Sequence, residues 1–327
     1  MLGRRPRAGV STPSRPRVAA VDCGTNSIRL LVADVAPDGT LVEVLRRMEV
    51  VRLGQDIDRT GVIAPEAMAR TLTATREYAD RCRELGVDRV RFVATSASRD
   101  ARNATDFVAG VREAFGDLDV APEVVAGDVE ARFSFTGATG ELPAHGIPGP
   151  FLVVDLGGGS TELVRGTSSV QAARSVDVGS VRMTERHLHD DPPTDAQVEA
   201  ARVDVRAALD AIEETVDLTG IGAVVGLAGS ITTITAHALA LTAYDPRATH
   251  LAQVPVEVHR EACRSLLAME HGERAALGFM HPGRVDVIGG GALVWLEVLD
   301  RVVARSPGAL AVTSEHDILD GIALSLT

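Results

Sequence analysis

The chain has 327 residues, and 33 basic residues against 45 acidic ones give it a formal net charge of −12. All 33 basic residues are arginine, which excludes the lysine-dependent sites of P-loop nucleotide hydrolases, pyridoxal enzymes and protein kinases. The acidic balance disfavours nucleic acid as a partner, and no apolar run approaches the roughly 18 residues that span a membrane. The length and a hydrophobic content of 45% fit two globular domains.

The cysteines and the first residues indicate the cellular setting. Cys23, Cys82 and Cys263 form no closely spaced pair, which is typical of a reducing compartment, so we expect a cytoplasmic protein without disulfides. Residues 1–17 contain five arginines and three prolines but no apolar segment. This composition predicts a disordered basic tail and not a signal peptide.

The first half of the chain predicts three strands followed by alternating helices and strands. An Asp38-Gly39 hairpin signal separates the second strand from the third. The Gly- and Pro-rich stretch 137–150 interrupts this pattern and predicts the junction between two domains. The predicted strands of this half cover 18–22, 28–34, 41–53 and 90–94, and the predicted helices cover 65–86 and 99–115.

The second half begins with the same strand, glycine turn and returning strand. A Thr194 N-cap with Gln197 three residues later predicts a capping box, and an apolar face recurs behind it at helical spacing. The pattern therefore predicts an α/β protein. The predicted strands cover 151–155, 161–164, 224–227 and 310–312, and the predicted helices cover 198–216, 231–243, 257–269, 286–304 and 316–326.

An Asp-x-Gly-x-x-Ser pattern occurs once in each half, at 22–27 and at 155–160. The two copies lie 133 residues apart, which indicates the duplication of a domain and not a short repeat. The duplication predicts two similar halves with a cleft between them.

Each of these turns offers groups that could bind a phosphate. Glycines let a phosphate oxygen approach the backbone amides, hydroxyl groups add donors, and Asp22 and Asp155 supply the oxygen ligands that Mg²⁺ prefers. The alternative is a pair of ordinary hairpins with capping aspartates. The predicted phosphate-binding residues are Gly24, Thr25, Asn26, Ser27, Gly157, Gly158, Gly159, Ser160 and Thr161.

The two turns resemble the phosphate motifs of the exopolyphosphatase and guanosine pentaphosphate phosphohydrolase (Ppx/GppA) family. The resemblance runs from Val18 to Thr327 and includes later blocks of that family in the same order. These blocks lie at 94–103, 125–132, 226–233, 286–291 and 314–321.

The resemblance implies a fold of two ribonuclease-H-like domains, as in the actin, Hsp70 and sugar-kinase superfamily, with a cleft between the domains. We expect the N-terminal domain to cover residues 18–138 and the C-terminal domain to cover 139–314. A final helix within 315–327 is expected to pack back on the N-terminal domain.

The resemblance also implies a catalytic role for Glu130, which would orient and deprotonate the attacking water. The family shows two adjacent acids in this segment, where this chain has Val129 and Glu130, so Glu130 is the one carboxylate that matches. The alternative is a solvated helix charge paired with Arg132. Arg99 follows Thr95-Ser96-Ala97-Ser98 and is expected to hold a phosphate with its forked guanidinium.

Four further residues are weaker candidates. Arg29 is a second candidate for holding phosphate. Glu162 would orient a metal ion or the water, or would face solvent on its strand. Gly229 and Ser230 resemble a second nucleotide loop, where a helix N-terminus meets an anion, although tight passage from strand to helix explains the glycine equally well.

These features together predict an enzyme that removes the terminal phosphate of inorganic polyphosphate with Mg²⁺ or Mn²⁺. The alternative substrate is guanosine pentaphosphate, which also presents a terminal phosphoanhydride. More distant alternatives are a sugar or acyl kinase and a nucleotide-binding scaffold without catalysis. The chain ends where longer family members add helical domains, and the resemblance is compatible with a homodimer.

Overall fold

Two five-stranded sheets organise the molecule, for which a computed structural model describes residues 15–327. The predicted basic tail therefore lies outside the described residues as far as residue 14. In both sheets three antiparallel strands are followed by two strands parallel to the first. The shared strand order confirms the predicted α/β class with two ribonuclease-H-like halves.

The first sheet begins one residue before the predicted strand, because Arg17 forms an ion pair with Asp34 and donates its backbone N–H to Asp88. The third strand was predicted to end at Leu53, but it ends at Val50. The strand order is β3-β2-β1-β4-β5, with β1 at Arg17–Cys23, β2 at Ser27–Val35, β3 at Leu41–Val50, β4 at Arg89–Ala94 and β5 at Glu123–Val124.

The single helix predicted over 99–115 is wrong, since the chain leaves helical geometry at Ala101, where ψ is 130°. The Asn103 side chain stabilises this break by accepting the Ile63 N–H at 2.9 Å and donating to the Ile63 carbonyl at 3.0 Å. The helices of this half are α1 at Ile57–Thr60, α2 at Pro65–Glu84, α3 at Ser96–Asp100 and α4 at Ala104–Phe115.

The second sheet has the order β10-β9-β6-β7-β8. Its strands are β6 at Phe151–Leu156, β7 at Thr161–Gly166, β8 at Val170–Val176, β9 at Ala223–Leu227 and β10 at Leu310–Thr313. The remaining helices of the molecule are α5 at Gly127–Thr139, α6 at Ser180–His187, α7 at Asp195–Glu213, α8 at Ala228–Ala238, α9 at Pro246–Thr249, α10 at Val256–Ala268, α11 at His271–Ala276, α12 at Ile288–Arg305 and α13 at Ile318–Leu324.

Three sequence expectations for this half differ from the structure. Helix α5 continues through Gly137 to Thr139, so the junction stretch begins later than predicted. Helix α8 begins and ends before the predicted 231–243. Strand β8, an edge strand with several polar residues, was not predicted. The predicted Thr194–Gln197 capping box is confirmed.

Helices α5 and α13 join the two sheets. Phe135 and its neighbours on α5 pack against the second sheet, and Ile318, Leu319 and Ile322 on α13 pack against the first. The two helices also contact each other directly. The domain limits given above, 18–138, 139–314 and 315–327, stay predictions.

Each sheet has its own apolar core. Phe92, Phe107 and Phe115 fill the first, and Trp295 lies within the second. Full burial of such side chains stabilises a fold by roughly 1.5–3 kcal/mol each. Among the described residues, no helix combines the length and the apolarity needed to cross a bilayer.

Candidate active site

The two glycine turns meet face to face between the sheets. Each is closed by the same hydrogen bond at the same length, from Gly24 N to Ser27 O and from Gly157 N to Ser160 O, both 3.0 Å. A Cβ placed on Gly159 would lie 2.7 Å from Thr25 Oγ1, so only glycine permits this approach. The turns are therefore the two walls of one cleft and not separate hairpins.

A cavity of about 100 Å³ occupies this cleft. Most of the sequence-predicted site residues line it, whereas Arg99, Gly159, Thr161 and Glu162 are not among the lining residues. The predicted residues at the cavity are Asp22, Gly24, Thr25, Asn26, Ser27, Arg29, Glu130, Asp155, Gly157, Gly158, Ser160, Gly229 and Ser230.

The turns leave polar atoms unpaired at the cavity. Within residues 15–327, the backbone N–H groups of Asn26 and Gly158, two residues that line the cavity, have no acceptor. The Asn26 Oδ1 atom is buried and has no donor among the same residues. Buried polar groups are ordinarily satisfied, so the unpaired Asn26 Oδ1 indicates a ligand site, and amides on a concave turn suit an anion.

Glu130 lies in the first turn of α5 with 7% of its surface exposed. Its Oε2 accepts a hydrogen bond from Arg99 Nη1 at 3.3 Å. Burial, followed by repulsion from Glu162 and Asp155, raises the pKa of Glu130 well above its ordinary value. Arg132 pairs instead with exposed Asp128, so the alternative of a solvated Glu130 is wrong.

Two further carboxylates lie buried beside Glu130. Burial and repulsion from Asp317 raise the pKa of Asp155 to about 6, although the Ser134 hydroxyl donates to it. Burial and repulsion from Asp155 raise the pKa of Glu162 to about 8, while Ser175 Oγ donates to Glu162 Oε1 at 2.6 Å. Glu162 is 1% exposed, so it does not face solvent.

Asp22 is the fourth buried acid of the cleft. Burial raises its pKa, and Arg29 opposes that rise by holding Asp22 Oδ2 at 2.6 Å. The same guanidinium also pairs with Asp317. Arg29 therefore neutralises two acids, and its charge is shared between them.

Part of this buried cluster suits a hard divalent cation. Carboxylate and amide oxygens are the ligands such cations take, and Asp22, Asp155 and Asn26 supply them at the cavity from both turns. A bound cation would also oppose the like-charge repulsion that raises these pKa values.

The structure assigns Arg99 a different contact from the one expected. Its Nη1 donates to the Val125 carbonyl at 3.0 Å and to Glu130 at 3.3 Å. Arg99 does not line the cavity, so its direct partner is the carboxylate and not the space where a phosphate would lie.

Arg284 is a site residue that the sequence reasoning missed. It lines the cavity, donates to Thr233 Oγ1 at 3.1 Å, and makes no ion pair within residues 15–327. Burial lowers its pKa. With 33 arginines in the chain, no sequence signal separated this one from the rest.

Position 229 requires a glycine because the Arg284 side chain packs against it. A Cβ on Gly229 would lie 2.2 Å from Arg284 Nη2, so the glycine makes room for the guanidinium. The preceding residue, Ala228, has φ of 66°, which is uncommon for a residue with a Cβ. Such strain is typical of binding sites, where surrounding contacts hold the backbone in place.

A second cavity of about 470 Å³ adjoins the first and shares Arg29, Ala228, Gly229 and Arg284 with it. Its lining is more apolar and includes Tyr244, Phe279 and Met280, together with Arg46 and Arg47.

Glu141, His250 and His316 form a separate cluster outside both cavities. Glu141 Oε1 accepts from His250 Nε2 at 3.0 Å and from His316 Nδ1 at 2.8 Å. His250 Nδ1 accepts the Glu315 N–H, which fixes the ring hydrogen on Nε2. The Nε2 atom therefore serves as a donor to Glu141 and not as a metal ligand.

The solved structures that are similar to this chain include the following two. An exopolyphosphatase-like protein is 44% identical with a TM-score of 0.91, and the match covers 96% of this chain and 98% of that one. The Aquifex aeolicus member of the Ppx/GppA family is 28% identical with a TM-score of 0.77, covering 95% and 97%.

The sequence comparisons agree with the structural ones. Exopolyphosphatase 2 of Mycobacterium tuberculosis is 52% identical over 316 residues, which cover 95% of this chain and 98% of that protein. The model of the Ppx/GppA phosphatase family matches residues 31–326. The chain therefore belongs to the Ppx/GppA phosphatase family.

Proposed function

We propose that this chain is an exopolyphosphatase, a hydrolase that removes the terminal phosphate of inorganic polyphosphate as orthophosphate. The observation that carries the proposal is the meeting of two glycine turns, with unpaired amides, around a cavity lined by Glu130. At about 100 Å³, the cavity is well below the roughly 300–1,000 Å³ of drug-sized sites, which suits a phosphoryl group. The similarity to exopolyphosphatase 2 supports the same activity.

Glu130 acts as the general base in this proposal. A water oxygen forms a new bond to the terminal phosphorus, and its proton passes to the Glu130 carboxylate. The bridging P–O bond breaks on the opposite side, and its electron pair leaves with the shortened chain. The raised pKa of Glu130 brings this base closer to neutral pH, where proton transfer is most effective.

The turns and the basic residues bind the phosphoryl group. The amides of Asn26 and Gly158 offer fixed donors for the charge that develops on its oxygens. The two walls are completed by Ser27, Ser160 and the backbone of Gly24, Thr25 and Gly157. Gly229, Ser230 and Arg284 line the side of the cavity towards which the rest of the polyphosphate would extend. Arg99 orients Glu130, and Thr161 stabilises the second turn through the Val178 carbonyl.

Asp155 and Glu162 are the proposed ligands for Mg²⁺ or Mn²⁺, with Asp22 as the third. A bound divalent cation would neutralise charge on the reacting phosphate. The Asp22 Oδ1 atom is the one left for this purpose, because Arg29 holds Oδ2.

Guanosine pentaphosphate is a second candidate substrate. The cavity of about 470 Å³ beside the cleft is large enough for a nucleoside, and Tyr244 and Phe279 offer apolar faces there. Arg284 lies between the two cavities and could hold a phosphate that joins them.

Phosphate release from polyphosphate, guanosine pentaphosphate and ATP tests the proposal. Glu130→Gln should lower kcat on the preferred substrate at least 100-fold, in line with roughly 10²–10⁴-fold for a lost general base. Asp128→Asn is the matched control, since it removes an exposed acid two residues away. Full activity of Glu130→Gln would contradict the mechanism, and tight ATP binding without phosphate release would favour the scaffold alternative.

If the chain is instead a kinase of the same superfamily, it should transfer the phosphate to a hydroxyl acceptor and not release it.

A cytoplasmic location and a homodimer remain further predictions, to be checked by fractionation and by light scattering.

A further inference from the structure

Arg182 connects the second phosphate turn to the first half of the molecule. The residue lies on α6, and its Nε donates to the Gly159 carbonyl at 2.7 Å. Its Nη2 pairs with Asp100 at 2.6 Å, and its Nη1 pairs with Asp58. One guanidinium therefore contacts three partners, of which two belong to the first half.

The partners of Arg182 lie next to the groups that face the substrate. Asp100 ends α3, the helix that also carries Ser96 and Arg99. Ser96 Oγ lies 2.7 Å from Thr25 Oγ1 in the first turn, and Arg99 contacts Glu130. Through Arg182, the backbone of the second turn is linked to the first turn and to the proposed base.

The electrostatic environment of Arg182 strengthens its two ion pairs. Its side chain is 12% exposed, and one cation lies between two carboxylates that are each 29% exposed. Charges in such partly buried positions interact more strongly than at an open surface. A planar guanidinium satisfies partners in several directions at once, which a lysine ammonium does not reproduce.

Arg186 provides a natural comparison one turn along α6. It also pairs with Asp58, but its second partner is Asp204, and its side chain is 37% exposed. It has no contact with Gly159 or Asp100. Arg186 therefore shares the ion-pair chemistry of Arg182 without the link to the turn.

We propose that Arg182 is a positioning residue for phosphate hydrolysis, which holds the second phosphate turn in register with the first turn and with Glu130. This inference rests on the proposed function. Arg182 does not line the cavity, so it acts through Gly159 and Asp100 and not by touching substrate. Because misplacement of reacting groups by about 1 Å costs roughly 10²-fold in rate, the effect is expected on kcat more than on KM.

The test compares Arg182→Gln, Arg182→Lys and Arg186→Gln with the wild-type chain. Arg182→Gln should lower kcat for phosphate release from polyphosphate about 10- to 100-fold with KM within about threefold, and Arg182→Lys should recover only part of the loss. Arg186→Gln should keep the wild-type kcat. Asp100→Asn added to Arg182→Gln should cause little further loss, because both changes break one connection.

Hydrogen exchange gives a readout that does not depend on catalysis. Peptides covering 96–100 and 157–161 should exchange faster in Arg182→Gln than in Arg186→Gln or in the wild-type chain. Unchanged exchange and unchanged kcat in Arg182→Gln would overturn the proposal, and so would equal losses in the two glutamine variants. If the wild-type chain releases no phosphate, the proposed function fails. The exchange result still tests whether Arg182 holds the two phosphate turns together.

Discussion

Gly137 on α5 lies directly against the backbone of Asp317 at the start of α13. A Cβ on Gly137 would lie 1.9 Å from the Asp317 carbonyl oxygen and 2.8 Å from Gly321 N. On the other helix, a Cβ on Gly321 would lie 1.9 Å from the Phe133 carbonyl oxygen. The two helices that join the sheets therefore touch backbone to backbone.

Gly137→Ala should destabilise the fold by about 2 kcal/mol or more, because the new methyl group meets backbone that has no side-chain freedom to yield. Thermal or denaturant unfolding measures the loss. Gly140→Ala is the control, since a Cβ there meets nothing within 4 Å and the backbone is helical. Equal stability of the Gly137→Ala and Gly140→Ala variants would contradict the close crossing.

Arg99→Met should shift the acidic limb of the kcat/KM profile to higher pH by about one unit. The positive charge of Arg99 lowers the pKa of Glu130, so its removal favours the protonated acid. Because the Glu130 carboxylate is then protonated up to a higher pH, the activity of the enzyme begins to fall at a higher pH as the solution is acidified. Arg132→Met removes an exposed arginine on the same helix as Glu130 and should leave the limb in place.

Removal of divalent cations with a chelator should abolish phosphate release, and Mg²⁺ or Mn²⁺ should restore it. Ser175→Ala should raise the Mg²⁺ concentration needed for half-activation about tenfold, because the lost hydroxyl orients Glu162. Ser169→Ala, at the exposed end of the same hairpin, should behave as the wild-type chain. Activity that survives chelation would contradict the metal proposal.

His259 should make the fold less stable in acid. The ring belongs to α10 and is buried against Trp295 of α12, its Nε2 has no partner within residues 15–327, and burial lowers its pKa to about 4. Below a pH of about 6.5 the unfolded chain binds a proton that the folded chain refuses, so stability falls as the pH drops from there to about 4. The total loss from this group is about 3 kcal/mol.

Denaturant unfolding of the wild-type chain and of His259→Gln between pH 7 and pH 4 measures this contribution. The difference in free energy of unfolding between the two proteins should shrink as the pH falls. His145→Gln removes a surface histidine and should keep the wild-type pH dependence. A constant difference between the wild-type chain and His259→Gln would contradict the assignment.

The sequence determined the duplicated plan of the fold and both phosphate turns. Asp22 and Asp155 each lie at the end of an apolar strand, just before a glycine turn, and this local pattern is readable because strand and turn preferences act over a few neighbouring residues. Glu130 was found by resemblance alone, since a single glutamate in a helix has no distinguishing local pattern.

Only the tertiary structure decided which side chains act on one another. Three residues act through a partner that is far away in sequence. Arg182 pairs with Asp58, Arg284 packs against Gly229, and Gly137 lies against Asp317. No local periodicity encodes such pairs, because they depend on how two sheets and two connecting helices pack. The raised pKa values of the cleft have the same origin, since burial and neighbouring charge exist only after the halves come together.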